Sequence, residues 1–316
     1  MHAPLTAGAM RIVVEGAMPP PELRGGALAI GNFDGVHRGH QAVIGDAVER
    51  ARRLDRPAII VTFDPHPSRL FRPDTPPFAL STIDQRLEWC AALGVSGAMV
   101  VPFTTELAGL SAEKFVADWL AARLAPAHVV TGHDFSFGRG RSGNPDVLAR
   151  LGAAHGFSTR AVPPVTDCGA PVSSTRVREA LVAGDLAEAT RLLTRPFTIR
   201  GAVIHGDKRG RTIGAPTANM ELGAYLRPRF GVYAARVRLP SGQRVSGVAN
   251  LGIRPMFEPP KLLLETWIFD WEGDLYDQVL DVELVAFLRD EMQLDGLDAL
   301  RVQIARDAEA ARRALC

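Results

Sequence analysis

Leu28-Ala29-Ile30-Gly31-Asn32-Phe33-Asp34-Gly35-Val36-His37-Arg38-Gly39-His40 reads as the end of a buried strand, a tight turn and the start of a helix. A helix N-terminus carries free N–H groups and the positive end of the helix dipole, so it favours anions. His37 and His40, three residues apart, add donors at that point, and Gly35 and Gly39 let the backbone approach a bound group closely. The chemistry indicated is a polyphosphate site. Two histidines at this spacing would alone be equally compatible with a strand–turn–helix joint bearing surface imidazoles; the whole block argues for the anion site.

Outward from this block the first half alternates strand and helix. Strands are expected at Ala27–Gly31, Ala58–Phe63, Ala98–Val101, His128–Gly132 and Ser158–Val162. Helices are expected at Gly39–Leu54, Ile83–Leu93, Ser111–Leu124 and Asn144–His155, with Ser111 as N-cap and Gly94 and Gly156 as stops. This rhythm predicts a doubly wound parallel sheet, whose ligands bind at the carboxyl ends of strands near a switch in strand order. The polar loops do follow strands: Gly31–His40, Thr62–Pro67, Gly132–Gly140 and, across a Pro-rich stretch, Ser173-Ser174-Thr175-Arg176-Val177-Arg178. The last of these is a second helix start, with hydroxyls and a guanidinium suited to phosphate oxygens.

The chain has 316 residues, 47% of them hydrophobic and 22% charged, with a net charge of +1. That size suggests two domains with ordinary cores, and the charge balance argues against a nucleic-acid or membrane surface. Cys90, Cys168 and Cys316 are too dispersed for a disulfide framework or a metal motif, which fits a reducing compartment. With no spanning apolar run or signal pattern either, a cytoplasmic protein with small-molecule partners and at most transient self-association is expected.

After Thr194-Arg195-Pro196-Phe197 the texture changes to short alternating runs, at Thr198–Ile204, Val232–Leu239, Val245–Leu251, Leu262–Phe269 and Val279–Phe287. These predict a small antiparallel β-barrel, with an amphipathic helix, Leu297–Leu315, lying against it. Within this half, Gly206–Asn219 is a glycine-rich basic loop that lacks the Gly-Lys-Ser/Thr ending of a Walker A sequence. Thr217 and Asn219 offer neutral oxygens for a hard cation such as Mg²⁺. Glu265 stands inside an apolar run; facing a ligand it is a candidate general base, and at a barrel mouth it simply meets solvent.

Taken together, Gly31–His40, Thr62–Pro67, Gly132-x-Asp-Phe-x-Phe-Gly138 and Ser173–Arg178 resemble the FMN adenylyltransferase module of prokaryotic bifunctional FAD synthetases. Gly210–Asn219, Gly231-Val-Tyr233, Gly247–Pro255 and Phe287–Glu291 resemble the riboflavin kinase module of the same family. The resemblance implies a Rossmann-like nucleotidyltransferase domain followed by the kinase barrel. It divides the chain into a leader with a short strand (1–26), an adenylyltransferase domain (27–184), a linker (185–196) and a kinase domain (197–316).

The implied chemistry uses ATP and Mg²⁺ to convert riboflavin to FMN and FMN to FAD. In the first domain the resemblance assigns catalysis to His37, His40 and Arg178. It gives ATP phosphates to Gly31, Asn32, Phe33, Asp34, Gly39, Ser173, Ser174 and Thr175, and FMN to Asp64, His66, Asp134 and Phe135. Asp34 and Asp64 are equally open to a structural role. In the second domain it makes Glu265 the base. ATP falls to Gly206, Lys208, Gly210, Arg211, Gly214 and Pro216, flavin to Asn250, Arg254, Arg289 and Glu291, and the metal to Thr217 and Asn219. Three residues depart from the family pattern: Met256, Trp267 and Asp277. Asp tolerates a left-handed turn better than most residues, so the last change is expected to be harmless.

Overall fold

The structure is a computed structural model that describes residues 11–14, 19–205, 215–254, 260–293 and 295–316. It divides into two compact units. One holds the residues up to Thr75 together with Ile83–Ser173, and the other holds Pro76–Thr82 and Ser174–Cys316.

The first unit is built on β1 (Arg11–Val14), β2 (Ala27–Ile30), β3 (Ala58–Phe63), β4 (Gly97–Val101), β5 (His128–Gly132) and β6 (Ser158–Val162). All six pair in parallel, in the order β1-β4-β3-β2-β5-β6. Both faces of the central strands are buried, which is why they read as unbroken apolar runs. Ala27, Ala29, Ala58 and Ile60 face one layer, with Val43, Ile44, Ala47 and Val48 of α1 (Arg38–Leu54) and Leu87 and Cys90 of α3 (Ile83–Ala92). The alternate residues Leu28, Ile30, Ile59 and Val61 face a second layer, with Val116, Leu120 and Leu148.

Between β3 and α3 lies α2 (Pro67–Phe71), and after β4 comes α4 (Thr105–Gly109). The helix expected over Ser111–Leu124 is wound unevenly: α5 (Ala112–Lys114) and α6 (Ala122–Leu124) are joined by a π-helical stretch, Phe115–Ala121. Ser111 caps it, its Oγ accepting from Lys114 N at 3.2 Å. The unit is completed by α7 (Pro145–Ala154) and a short hairpin, β7 (Thr166–Asp167) with β8 (Ala170–Pro171).

In the second unit, helices occupy residues 179–193, the stretch whose sequence also reads as two helical turns with Asp185 as a cap. α8 (Ser174–Ala183) leads into α9 (Leu186–Leu193), and the Asp185 carboxylate caps α9 by accepting from Glu188 N at 2.8 Å. Six antiparallel strands follow: β9 (Phe197–Ala202), β10 (Thr217–Glu221), β11 (Gly231–Arg238), β12 (Arg244–Arg254), β13 (Lys261–Ile268) and β14 (Val279–Arg289). Their order is β10-β13-β12-β11-β14-β9. The sheet curls until Ile204, just past β9, pairs with Asn219 of β10. Tyr233, Leu251, Leu264 and Val282 fill its core. The last helix, α10 (Gly296–Leu315), lays Ala308 and Ala311 on Val232, Ala234, Val248 and Phe269. Asp277 adopts φ 62°, the left-handed conformation expected of that substitution.

Candidate functional site

In the first unit the strand order reverses about β2, with β3 and β4 on one side and β5 on the other. The loop leaving β2 therefore opens at the switch point, where ligands bind in open α/β sheets. This loop is Gly31–His37. Its turn is tight, with Phe33 at φ 49°, Gly35 at φ 79° and Val36 at φ 41°. Asp34 is buried at the tip.

His37 is the N-cap of α1, and its Nδ1 accepts from His40 N at 3.3 Å. An accepting Nδ1 carries no hydrogen, so the ring proton of the neutral imidazole resides on Nε2. The two imidazoles stack at 3.6 Å with 19° between their planes, and Phe33 meets His40 edge-on. Gly39 is required beneath them. A Cβ there would stand 3.1 Å from His37 Cε1 and 3.2 Å from the Val172 carbonyl oxygen. That contact brings the chain before Ser173 to the start of α1. Arg38 fastens the same region to the short hairpin, its Nη1 pairing with Asp167 at 2.5 Å.

Of the residues assigned to the FMN side, Asp64 and Asp134 are exposed beyond β3 and β5. His66 is also a cap, its Nδ1 accepting from Ser68 N at 3.1 Å at the start of α2. Phe135 stacks on Phe137 at 5.5 Å. A cavity of about 260 Å³ at the end of β4 has no signature in the sequence; Met99, Val101, Leu110 and Trp119 line it together with Thr104, Glu106 and Arg123. Phe63, Phe103 and Phe71 follow one another edge-on beside this strand end. Arg86 also went unread. It is a buried cation on the apolar face of α3, and burial holds its pKa below the usual value against the pull of Asp34 and Asp64. Its position in phase with Ile83 and Cys90 was the available signal.

Ser173 ends the first unit, and Ser174, Thr175 and Arg178 open the second. Within that second unit Arg178 Nε donates to the Phe78 carbonyl at 2.8 Å, and its guanidinium lies over the Phe78 ring.

The kinase candidates fall into one row. Asn219 of β10, Glu265 of β13 and Asn250 of β12 stand opposite one another in register, with Thr217 beside Trp267 two residues along. By strand alternation this row shares the face of Val248 and Phe269, on which α10 packs. Glu265 Oε2 accepts from Arg254 Nη2 at 2.7 Å and from Nε at 3.0 Å, while Arg254 Nη1 reaches Glu291 at 3.1 Å. Burial opposes the charge on Arg254, but these two carboxylates outweigh it and raise its pKa. Asn250 Oδ1 is buried with no hydrogen-bond partner. Arg289 grips Asp307 of α10 through two bonds of 2.8 and 2.6 Å, which makes it a clamp for that helix. Pro216 is exposed just ahead of β10; Gly206, Lys208, Gly210, Arg211, Gly214 and Met256 lie outside the described residues.

A parallel sheet with a histidine-capped turn at its switch point, joined to a barrel with an acid–amide row, has the make-up of a two-module transferase. A family model for FAD synthetase matches residues 20–176 and one for riboflavin kinase matches residues 193–315. The bifunctional riboflavin kinase/FMN adenylyltransferase of Pseudomonas fluorescens is 43% identical, over 92% of this chain and 94% of its own. That of Escherichia coli K12 is 40% identical, over 91% and 92%. A crystal structure described as a macrolide-efflux protein from Streptococcus pneumoniae superposes with a TM-score of 0.86 at 29% identity, covering 96% of this chain and 99% of that one. No helix among the described residues is long and apolar enough to cross a membrane.

The chain belongs to the bifunctional riboflavin kinase/FMN adenylyltransferase family. It is an enzyme that phosphorylates riboflavin to FMN with ATP and then adenylylates FMN to FAD.

Proposed function

We propose that the two reactions run at two centres with separate residues. For adenylyl transfer, an FMN phosphate oxygen attacks the α-phosphorus of ATP and pyrophosphate leaves. His37 and His40 hold the departing phosphates, and the N–H group of Gly39 adds a donor. The observation that carries this assignment is the stacked pair at 3.6 Å on the N-terminus of α1. Ser173, Ser174 and Thr175 keep their assignment to ATP phosphates, and Arg178 its catalytic one, on the family resemblance alone. FMN is given to Asp64, Asp134 and Phe135, with its ring against Met99, Leu110 and Trp119 in the cavity at the end of β4. His66, engaged as a cap, orients that loop.

For phosphorylation, the riboflavin 5′-hydroxyl attacks the γ-phosphorus, its proton passes to Glu265 and ADP leaves. Arg254 holds Glu265 through Oε2, leaving Oε1 outside that pair to receive the proton. Asn250 Oδ1, buried and unpartnered, is offered to the flavin. Thr217 and Asn219 fit Mg²⁺ through neutral oxygens. Nucleotide phosphates would complete the coordination of a cation held by these two neutral side chains. When bound, the cation neutralises charge on the transferred phosphoryl group. Cys90, Cys168 and Cys316 form no disulfide, which fits a cytoplasmic setting.

Reciprocal variants of the full chain test this reading. Glu265→Gln is expected to lower FMN formation by about 100-fold or more while FMN is still converted to FAD. His40→Ala should do the reverse, by a similar factor. Loss of both activities from either substitution, in protein that melts like the wild type, refutes separate centres.

A further inference from the structure

Arg86 sits inside the first unit with its side chain 5% exposed. Nη1 donates to Thr62 Oγ1 and to the Phe63 carbonyl, both at 3.1 Å, and Nη2 stands 4.0 Å from Asp34 Oδ1. Thr62 Oγ1 in turn donates to the Asn32 carbonyl at 3.0 Å. One guanidinium thus gathers the ends of β2 and β3. The ladder between these strands runs only to Ile30 opposite Val61, with one more bond from Gly31 N to the Val61 carbonyl. Beyond it, the two loops that carry His37 and His40 on one side and Asp64 and His66 on the other are joined through Arg86 and Thr62.

Core packing does not demand this cation. Burying a charge costs several kcal/mol, and a well-packed apolar side chain of the same volume often serves stability as well or better. The turn beside it does need holding. Phe33 and Val36 occupy positive φ, and a β-branched residue there is a backbone outlier that persists only where its surroundings over-determine it. The restraints lie on both flanks. Gln41 Nε2 donates to the Val36 carbonyl at 2.9 Å, and Arg86 faces the Asp34 carboxylate from the sheet side.

We propose that Arg86 is a positioning residue for adenylyl transfer. By pairing with Asp34 and gripping the end of β3, it fixes the Asn32–Val36 turn and so sets where the His37–His40 stack meets the phosphates. The inference rests on the Gly31–His40 block being the adenylyl-transfer site.

The test uses the full chain with FMN, ATP and Mg²⁺. Arg86→Met is expected to lower kcat for FAD formation by roughly 10- to 100-fold, the scale of a small misplacement at a reacting centre. KM for FMN should stay within about twofold, and riboflavin phosphorylation by the same preparation should be unchanged. Arg86→Lys, which keeps the charge and loses the fork, should recover part of kcat. Combined with Asp34→Asn, Arg86→Met should cost little more than the worse single variant. A kcat within about twofold of wild type, or losses that multiply in the double variant, overturns the proposal. If Arg86→Met does not fold, Thr62→Val removes one acceptor at constant shape, and about a fivefold loss of kcat is expected; no loss overturns the clamp. His40→Ala separates the two layers. If it also leaves FAD formation intact, the site assignment falls; if it abolishes FAD formation while Arg86→Met does not, only the role of Arg86 falls.

Discussion

At Gly39 the proposed chemistry and helix stability make opposite demands on one side chain. Gly39 lies in the first turn of α1, where alanine is the better helix former by about 1 kcal/mol. A methyl group there would press on the His37 ring and the Val172 carbonyl at 3.1 and 3.2 Å, closer than these groups can stand without shifting. Gly39→Ala is therefore expected to leave the thermal midpoint unchanged or slightly higher while lowering kcat for FAD formation by about tenfold. A variant that is both stable and fully active would show that His37 tolerates displacement. The close packing at this glycine was legible, because a glycine in the first turn of a helix that follows a tight Gly-rich loop leaves a local pattern. Asp34 was not resolvable between ligand and structural roles, since its partner Arg86 arrives from a helix some fifty residues further on. The cap made by His37 was equally hidden, because Ser, Thr, Asp and Asn are the residues a sequence reading expects there.

At the scale of elements, Asp281 fastens three strands. It stands opposite Arg200 of β9 and Arg238 of β11, and bonds to Arg200 at 2.6 and 2.8 Å and to Arg238 at 3.0 and 2.6 Å. Burial opposes its ionisation, but the two guanidinium groups outweigh burial and hold its pKa below the usual carboxylate value. The unfolded chain then binds the proton first as pH falls. The stabilisation is complete above about pH 4, the ordinary Asp value, and is lost as pH drops toward the depressed folded value. Asp281→Asn should lower the melting temperature of the second unit at pH 7 and flatten its fall between about pH 5 and pH 3; parallel curves for wild type and variant would refute the linkage. The cross-strand pairing of Asp281 could not be foreseen, because register across separated strands is set by the closed sheet. The parallel strands were legible, because burial on both faces leaves runs such as Ala58–Phe63 that need no register to be recognised. β10 was missed as a strand because it follows a glycine-rich loop and is only five residues long, with polar Asn219 between Ala218 and Met220 in a buried run. The π-helical winding of Phe115–Ala121 leaves the apolar face continuous, so its periodicity resembled an ordinary helix.

At the scale of the molecule, the texture change at Thr194–Phe197 marks where strands begin and not where a folding unit begins. α9 packs against β14 and β9 and buries Leu186, Ala189, Leu192 and Leu193. Its amphipathic pattern was readable, but what its apolar face covers depends on strands that follow it in the chain. Burial of a leucine is worth about 1.5–3 kcal/mol, so the three leucines together contribute about 5–9 kcal/mol. A typical domain has only about 5–15 kcal/mol of net stability, so losing α9 removes a large fraction or all of it. A fragment of residues 197–316 is therefore expected to be largely unfolded and unable to phosphorylate riboflavin. A fragment beginning at Ser174 retains α8 and α9 and should fold and form FMN. It should still melt below the second unit of the full chain. It lacks Pro76–Thr82, from which Leu80 is buried and Ala79 bonds to Ala224 and Leu226 at 3.0 and 2.8 Å. Circular dichroism melts of the two fragments and the full chain, each with a riboflavin phosphorylation assay, measure this order. If the fragment starting at Phe197 melts as high as the one starting at Ser174, α9 is an appendage and the kinase unit begins where its strands do.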